Sequence, residues 1–187
     1  MPAESDALVV GVAVVVPEPY RAELAAARGR YDAPDTVPIP PHITLLPPTT
    51  IESWQRDAVF AHLARVADDC PPFEVRLRGT ATFRPVSPVV FVSLVDGISG
   101  CERLERGVRS GVLLRRRPFP YHPHVTVAHD VPDEVLDAAF DDLDTYSARF
   151  RVESFTLARL TDSGEWDVLR DFPLRGSPLL AARSSRV

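Results

Sequence analysis

Short apolar stretches with period-2 alternation are separated along this chain by amphipathic, Ala/Leu/Glu/Arg-rich stretches, so strands and helices are expected to alternate. Residues 8–16 read as a strand and residues 21–28 as a helix, the latter from strong helix formers. Pro34, Pro38, Pro40 and Pro41 then impose an extended approach to a strand that begins at His42. A helix is expected from Glu52 or Ser53 to about residue 68, with Trp54, Ala58, Phe60, Ala61 and Val66 as its buried candidates. A strand over 73–83 follows, alternating Phe73, Val75 and Leu77, and Pro85-Val86-Ser87-Pro88 marks a turn. The second half reads as strand 89–95, helix 99–114, strand 124–128 and helix 132–143, with Pro132 in the first turn and Asp133 and Glu134 at its positive end. Strands over 148–160 and 166–172 are joined by the turn Asp162-Ser163-Gly164. Beyond Arg175 the composition changes, and residues 176–187 are expected to form a flexible tail on a single domain over 1–175.

The order of these elements repeats, with halves at about 8–84 and 89–174. Asp57-Ala58-x-Phe60-x-x-Leu63 returns as Asp137-Ala138-x-Phe140-x-x-Leu143, and Phe73-Glu74-Val75 is echoed by Phe150-Arg151-Val152. The sharpest repeat is Pro41-His42-Ile43-Thr44-Leu45 against Pro123-His124-Val125-Thr126-Val127. Side chains alternate faces along a strand, so His42 and Thr44 share one face and His124 and Thr126 share another. Two lobes related by an approximate two-fold axis would bring these imidazole-plus-hydroxyl faces together across a cleft. A unit this long is a lobe and not a solenoid repeat.

With these motifs the chain resembles the 2H phosphoesterase superfamily, especially the bacterial 2′-5′ RNA ligase-like proteins and RNA 2′,3′-cyclic phosphodiesterases. The residues that carry the resemblance are Pro41-His42-Ile43-Thr44-Leu45-Leu46-Pro47-Pro48 and His122-Pro123-His124-Val125-Thr126-Val127-Ala128. A lone H-x-T means little; two in matching duplicated contexts are a strong signal. The resemblance implies an α+β, bilobal duplicated fold with two mostly antiparallel sheets facing a central cleft and helices outside. It implies a metal-independent enzyme with no cofactor, acting on a small nucleotide or an RNA end. His42 would donate a proton to the leaving oxygen, His124 would accept one from water, and Thr44 and Thr126 would bind the phosphate oxygens. Histidine suits both roles because both of its protonation states are populated near neutrality.

Composition narrows the picture further. The chain has 187 residues, 45% of them hydrophobic, enough for a core without disulfides or structural metals. Cys70 and Cys101 form no metal-site or disulfide pattern, which fits a reduced, cytoplasmic setting. Residues 8–16 are too short a run to cross a bilayer, so no membrane association is expected. A formal net charge of −5 and a pI of about 5.5 argue against broad coating of nucleic acid. Arg115-Arg116-Arg117 is either a phosphate-attracting rim or a solvated helix terminus, and is left outside the site. His122 shares the parity of His124, yet its counterpart Pro40 has no side-chain chemistry, which favours a peripheral role. His129 has the opposite parity at a strand end, and His62 is a surface or packing residue. A zinc site built on His122, His124 and His129 is disfavoured by that split and leaves His42 unexplained. The alternative function is a nucleotide- or RNA-end-binding module with little turnover, against which the intact His-x-Thr pairs argue. A monomer is expected.

Overall fold

A computed structural model describes residues 7–31 and 39–177. The approach residues Pro34 and Pro38 and most of the expected tail lie outside the described residues. Eight strands and four α-helices follow in the order β1 (Ala7–Val15), α1 (Tyr20–Gly29), β2 (His42–Glu52), α2 (Arg56–Asp69), β3 (Phe73–Thr82), β4 (Val89–Asp96), α3 (Ile98–Val108), β5 (His124–His129), α4 (Asp133–Asp142), β6 (Ser147–Val152), β7 (Ser154–Leu160) and β8 (Trp166–Pro173). Single 3₁₀ turns, Ser53–Gln55 and Gly111–Leu113, precede α2 and follow α3.

All strand pairs are antiparallel, in the order β6-β3-β4-β5-β2-β1-β7-β8. The fold is thus α+β, and the two expected sheets are the halves of one eight-stranded sheet, joined at β2 and β5 through the pair Ile43↔Val125. Strand partnership crosses the sequence halves, because β3 pairs with β4 and β6 while β7 returns to β1. The echoed segments lie directly against each other: Phe73 opposite Val152, Glu74 opposite Arg151, Val75 opposite Phe150. Only Glu153 separates β6, at one edge of the sheet, from β7, near the other. One residue spans at most about 3.6 Å, so the sheet must curl until its two ends approach.

The helices are exchanged in the same symmetric way. α1, which connects β1 to β2, packs on β5, and α3, which connects β4 to β5, packs on β2. Beneath them Ile43, Leu45, Val125 and Val127 are fully buried, together with Leu63, Leu104 and Leu136 from the helices. Burying a side chain of this size contributes about 1.5–3 kcal/mol, so the apolar half of each motif anchors its polar half.

Three sequence expectations change. The helix over 52–68 starts instead at Arg56, after a 3₁₀ turn, and this shifts its buried stripe to Val59, His62, Leu63, Val66 and Ala67. Trp54 is 78% exposed, and Ala58 and Ala61 are exposed, while Phe60 is half-buried against Phe172. The helix over 99–114 ends at Val108, and a positive φ of 52° at Gly111 turns the chain into the 3₁₀ turn. The strand over 148–160 is two strands, because β6 and β7 have different partners.

Candidate active site

Pro41 and Pro123 set the entry of both motif strands. A residue before proline is held out of the helical region, which fixes the carbonyls of Pro40 and His122. His42 Nδ1 donates to the Pro40 carbonyl at 2.7 Å, and His124 Nδ1 donates to the His122 carbonyl at 2.7 Å. A carbonyl only accepts, so Nδ1 carries the proton in each neutral ring and Nε2 is left to exchange one. Pro40 and His122 are therefore equivalent after all, through the main chain and not the side chain. The proline before each histidine was the signal for this.

The pair Ile43↔Val125 places the motifs about a local two-fold centre. In an antiparallel register His42 falls opposite Thr126, and Thr44 opposite His124, all four on one face. Their half-buried state, against fully buried Ile43 and Val125, agrees. Each motif strand is also bulged after its threonine. β1 pairs Ala13 with Thr44 and then Val12 with Leu46, skipping Leu45; β4 pairs Phe91 with Thr126 and then Val90 with Ala128, skipping Val127. Such bulges bend a strand and re-aim side chains, and are common beside active sites. The second bulge reverses the parity expected for His129, which is half-buried like His124 and Thr126 while Val127 and Ala128 are both buried.

Two further contacts shape the site. Tyr121 Oη donates to the Thr44 carbonyl at 3.0 Å, tying the segment before β5 to β2. Burial holds this phenol far above its usual pKa, so it remains a donor. Arg28, buried on α1, places Nη2 3.4 Å from His129 Nε2. His129 Nδ1 lies 3.0 Å from Asp130. Among the described residues no group of three or more His, Cys, Asp or Glu is arranged to hold a metal ion, the His122, His124 and His129 set included. Arg117 pairs with buried Glu105 at 3.1 Å, so part of the basic run is tethered to α3.

Both motif histidines have pKa values below the ordinary 6.5. Burial is the main cause in each; the hydrogen bond to the carbonyl opposes it. The Arg28 charge lowers His42 further, and His122 and His42 lower His124. The surroundings of the two rings differ. Phe83 and Phe91 pack on the His124 ring at centroid distances of 5.0 and 4.9 Å, with the His122 ring 6.3 Å away. On the other side, a cleft of about 250 Å³ opens from His42 and Thr44 across β1, β7 and β8. Such a site can move a proton on each of two sides of a bound phosphorus while the hydroxyls hold its oxygens.

A family model of the 2′-5′ RNA ligase superfamily matches residues 16–164. The chain belongs to this superfamily. Among superfamily relatives, a Geobacillus kaustophilus protein provisionally named a phosphoesterase is 27% identical over 168 residues, covering 89% of this chain and 96% of its own. The crystal structure of TT0787 from Thermus thermophilus is similar with a TM-score of 0.67 and 28% identity, covering 90% of this chain and 99% of that one. Escherichia coli LigT, solved with 3′-AMP, shares the fold at a TM-score of 0.69 and 18% identity, over 90% of this chain and 98% of LigT. No helix among the described residues is long and apolar enough to cross a membrane.

Proposed function

We propose that this superfamily member opens 2′,3′-cyclic phosphates in nucleotides or at RNA ends without a metal, and that the same centre forms a 2′-5′ linkage when a 5′-hydroxyl, in place of water, attacks the phosphorus and the 3′-oxygen departs. The observation that carries this reading is the two-fold His-x-Thr arrangement, with both Nδ1 atoms committed to carbonyls and both Nε2 atoms left for proton transfer. LigT, whose fold this chain shares, has been solved with 3′-AMP, NADP+ and ATP, which supports a nucleotide as the substrate class.

In the proposed reaction, water attacks phosphorus in line with one ring ester oxygen. The bond from water oxygen to phosphorus forms as that ester bond breaks, leaving a monoester. His124 takes the proton of the attacking water, and protonated His42 gives one to the departing ribose oxygen. The open cleft beside His42 supports this direction, since the organic part of the substrate and its leaving oxygen need room there. Thr44 and Thr126 donate hydrogen bonds to the non-bridging oxygens and stabilise the charge that grows on them.

The test is incubation of purified protein with adenosine 2′,3′-cyclic phosphate across pH 5 to 9, with and without chelator. A monoester product and a bell-shaped profile indifferent to chelator are expected. Loss of activity on chelation, restored by zinc, would overturn the two-histidine mechanism. Tight binding without turnover would favour the binding-module alternative.

A further inference from the structure

The cleft beside His42 is lined by Gly11, Ala13 and Ala158, with Pro47, Trp166 and Val168 among the larger residues around them. β7 pairs Ala158 with Gly11 on one side and with Val168 on the other, so these residues form one cross-strand row. Trp166 lies over this row: a Cβ built on Gly11 would stand 2.9 Å from two atoms of the indole ring. Glycine at this position is what lets the ring settle against the sheet. No Lys, Arg, Asp or Glu is among the lining residues, and the polar groups fall in two rows at the catalytic end: Thr44 and Thr156 on either side of Ala13, and His42 opposite Val15. Ala13 pairs with Thr44 and with Thr156, and Thr156 Oγ1 donates to Asp171 at 2.6 Å.

We infer that this compartment takes the base of a single terminal nucleoside, stacked on Trp166, with the reacting phosphate over Thr44. The inference rests on the proposed phosphoesterase reading and deepens it by naming the substrate class. An uncharged, nearly apolar compartment ending in one aromatic face accepts a flat heteroaromatic ring, since every base has a π-face to stack. The same wall opposes a second phosphate, which would be desolvated there with no Lys or Arg among the lining residues and with His42 engaged by the reacting phosphate. A volume of about 250 Å³, just below the usual range for small-molecule sites of about 300–1,000 Å³, matches one nucleoside. Nucleoside 2′,3′-cyclic monophosphates and RNA ends read by their last base are the substrates that fit; dinucleotide pyrophosphates are not.

Two measurements test this. The chain has two tryptophans, and Trp54 is exposed and lies outside the site, so a W54F protein reports on Trp166 alone. Its fluorescence should be quenched by adenosine 3′-monophosphate and not by inorganic phosphate or ribose 5-phosphate at equal concentration. Quenching by none of these, or equally by all, would overturn the inference. In turnover, the ratio of kcat/KM for adenosine 2′,3′-cyclic phosphate to that for ribose 2,3-cyclic phosphate should fall at least tenfold in W166A. Ala158→Leu, which fills the compartment from the neighbouring strand, should lower the same ratio. An unchanged ratio in folded variants would refute the role of the compartment. If wild-type protein opens neither cyclic phosphate while the titration still shows base-dependent quenching, the phosphoesterase reading falls and the base compartment stands.

Discussion

At the scale of single residues, His42 and His124 are held alike, and their effects on catalysis should be strongly coupled. H42A and H124A are each expected to lower turnover on a cyclic phosphate by about 10²- to 10⁴-fold. The double variant should lose far less than the product, because acid and base serve one transition state. Near-normal turnover in either folded single variant would defeat the assignment. The pH behaviour follows from the direction of both shifts. Each free-enzyme pKa is lowered from 6.5, chiefly by burial, so the state with one ring protonated and one neutral is most populated on the acid side of that value. The kcat/KM profile, which reports the free enzyme, should therefore peak below about pH 6.5. The kcat profile should lie higher, because a bound phosphate anion favours the imidazolium form. Stability has its own sign. A histidine with a depressed folded pKa contributes stability above the unfolded value, and that contribution is lost as pH falls through the folded pKa. Denaturant unfolding between pH 7 and 5 should show a shallower loss for the H42A/H124A double variant than for the parent; equal slopes would contradict the burial argument.

At the scale of elements, the weak seam of the sheet is the β2–β5 junction, where Ile43↔Val125 is supplemented by the hydrogen bond from Tyr121 to Thr44. Tyr121→Phe removes that bond without changing the ring. A stability loss of only about 0.5–1.5 kcal/mol is expected. Turnover should fall by about tenfold or more with little change in KM, because the register between the two half-sites sets the alignment of acid and base. Unfolding curves and steady-state kinetics on the same preparation separate the two effects, and normal turnover would show that Ile43↔Val125 holds the register unaided. Much of this level was legible in local pattern: the expected strands beginning at Leu8, His42, Phe73, Val89 and His124 are all strands, and both His-x-Thr faces follow from simple alternation. The exceptions share a cause in long-range structure. The bulges at Leu45 and Val127 depend on partner strands, and so does the parity of His129. The buried stripe of α2 depends on where a 3₁₀ turn yields to helix, which the choice between Glu52 and Ser53 as a start could not settle. The division at Glu153 follows from partners at opposite ends of the sheet order, and no local pattern encodes them.

At the scale of the whole molecule, the strand order is symmetric about the β2–β5 junction and the outer strands differ in what they carry. β1 and β2 are continued by β7 and β8, of which β8 carries Trp166 and Val168, whereas β4 and β5 are continued by β3 and β6. The chemical groups thus come in equivalent pairs, while the surroundings differ: a cleft opens beside His42, and Phe83 and Phe91 pack on His124. Electrostatics at this scale gives a last prediction. A protein of net charge −5, with no Lys or Arg among the residues lining its cleft, gains little from long-range attraction of an anionic substrate. Raising salt from about 50 to 500 mM shortens the screening length from roughly 14 to 4 Å and weakens repulsion at least as much as attraction. For adenosine 2′,3′-cyclic phosphate, kcat/KM should therefore stay within about threefold or rise over that range. A protein that gathers RNA by neutralising many phosphates would show the opposite, a fall of several orders of magnitude as released counterions are driven back. A steep loss on a short RNA ending in a cyclic phosphate, with the mononucleotide unaffected, would place RNA-binding cations outside the cleft; a steep loss on both would refute recognition by stacking and hydrogen bonding alone.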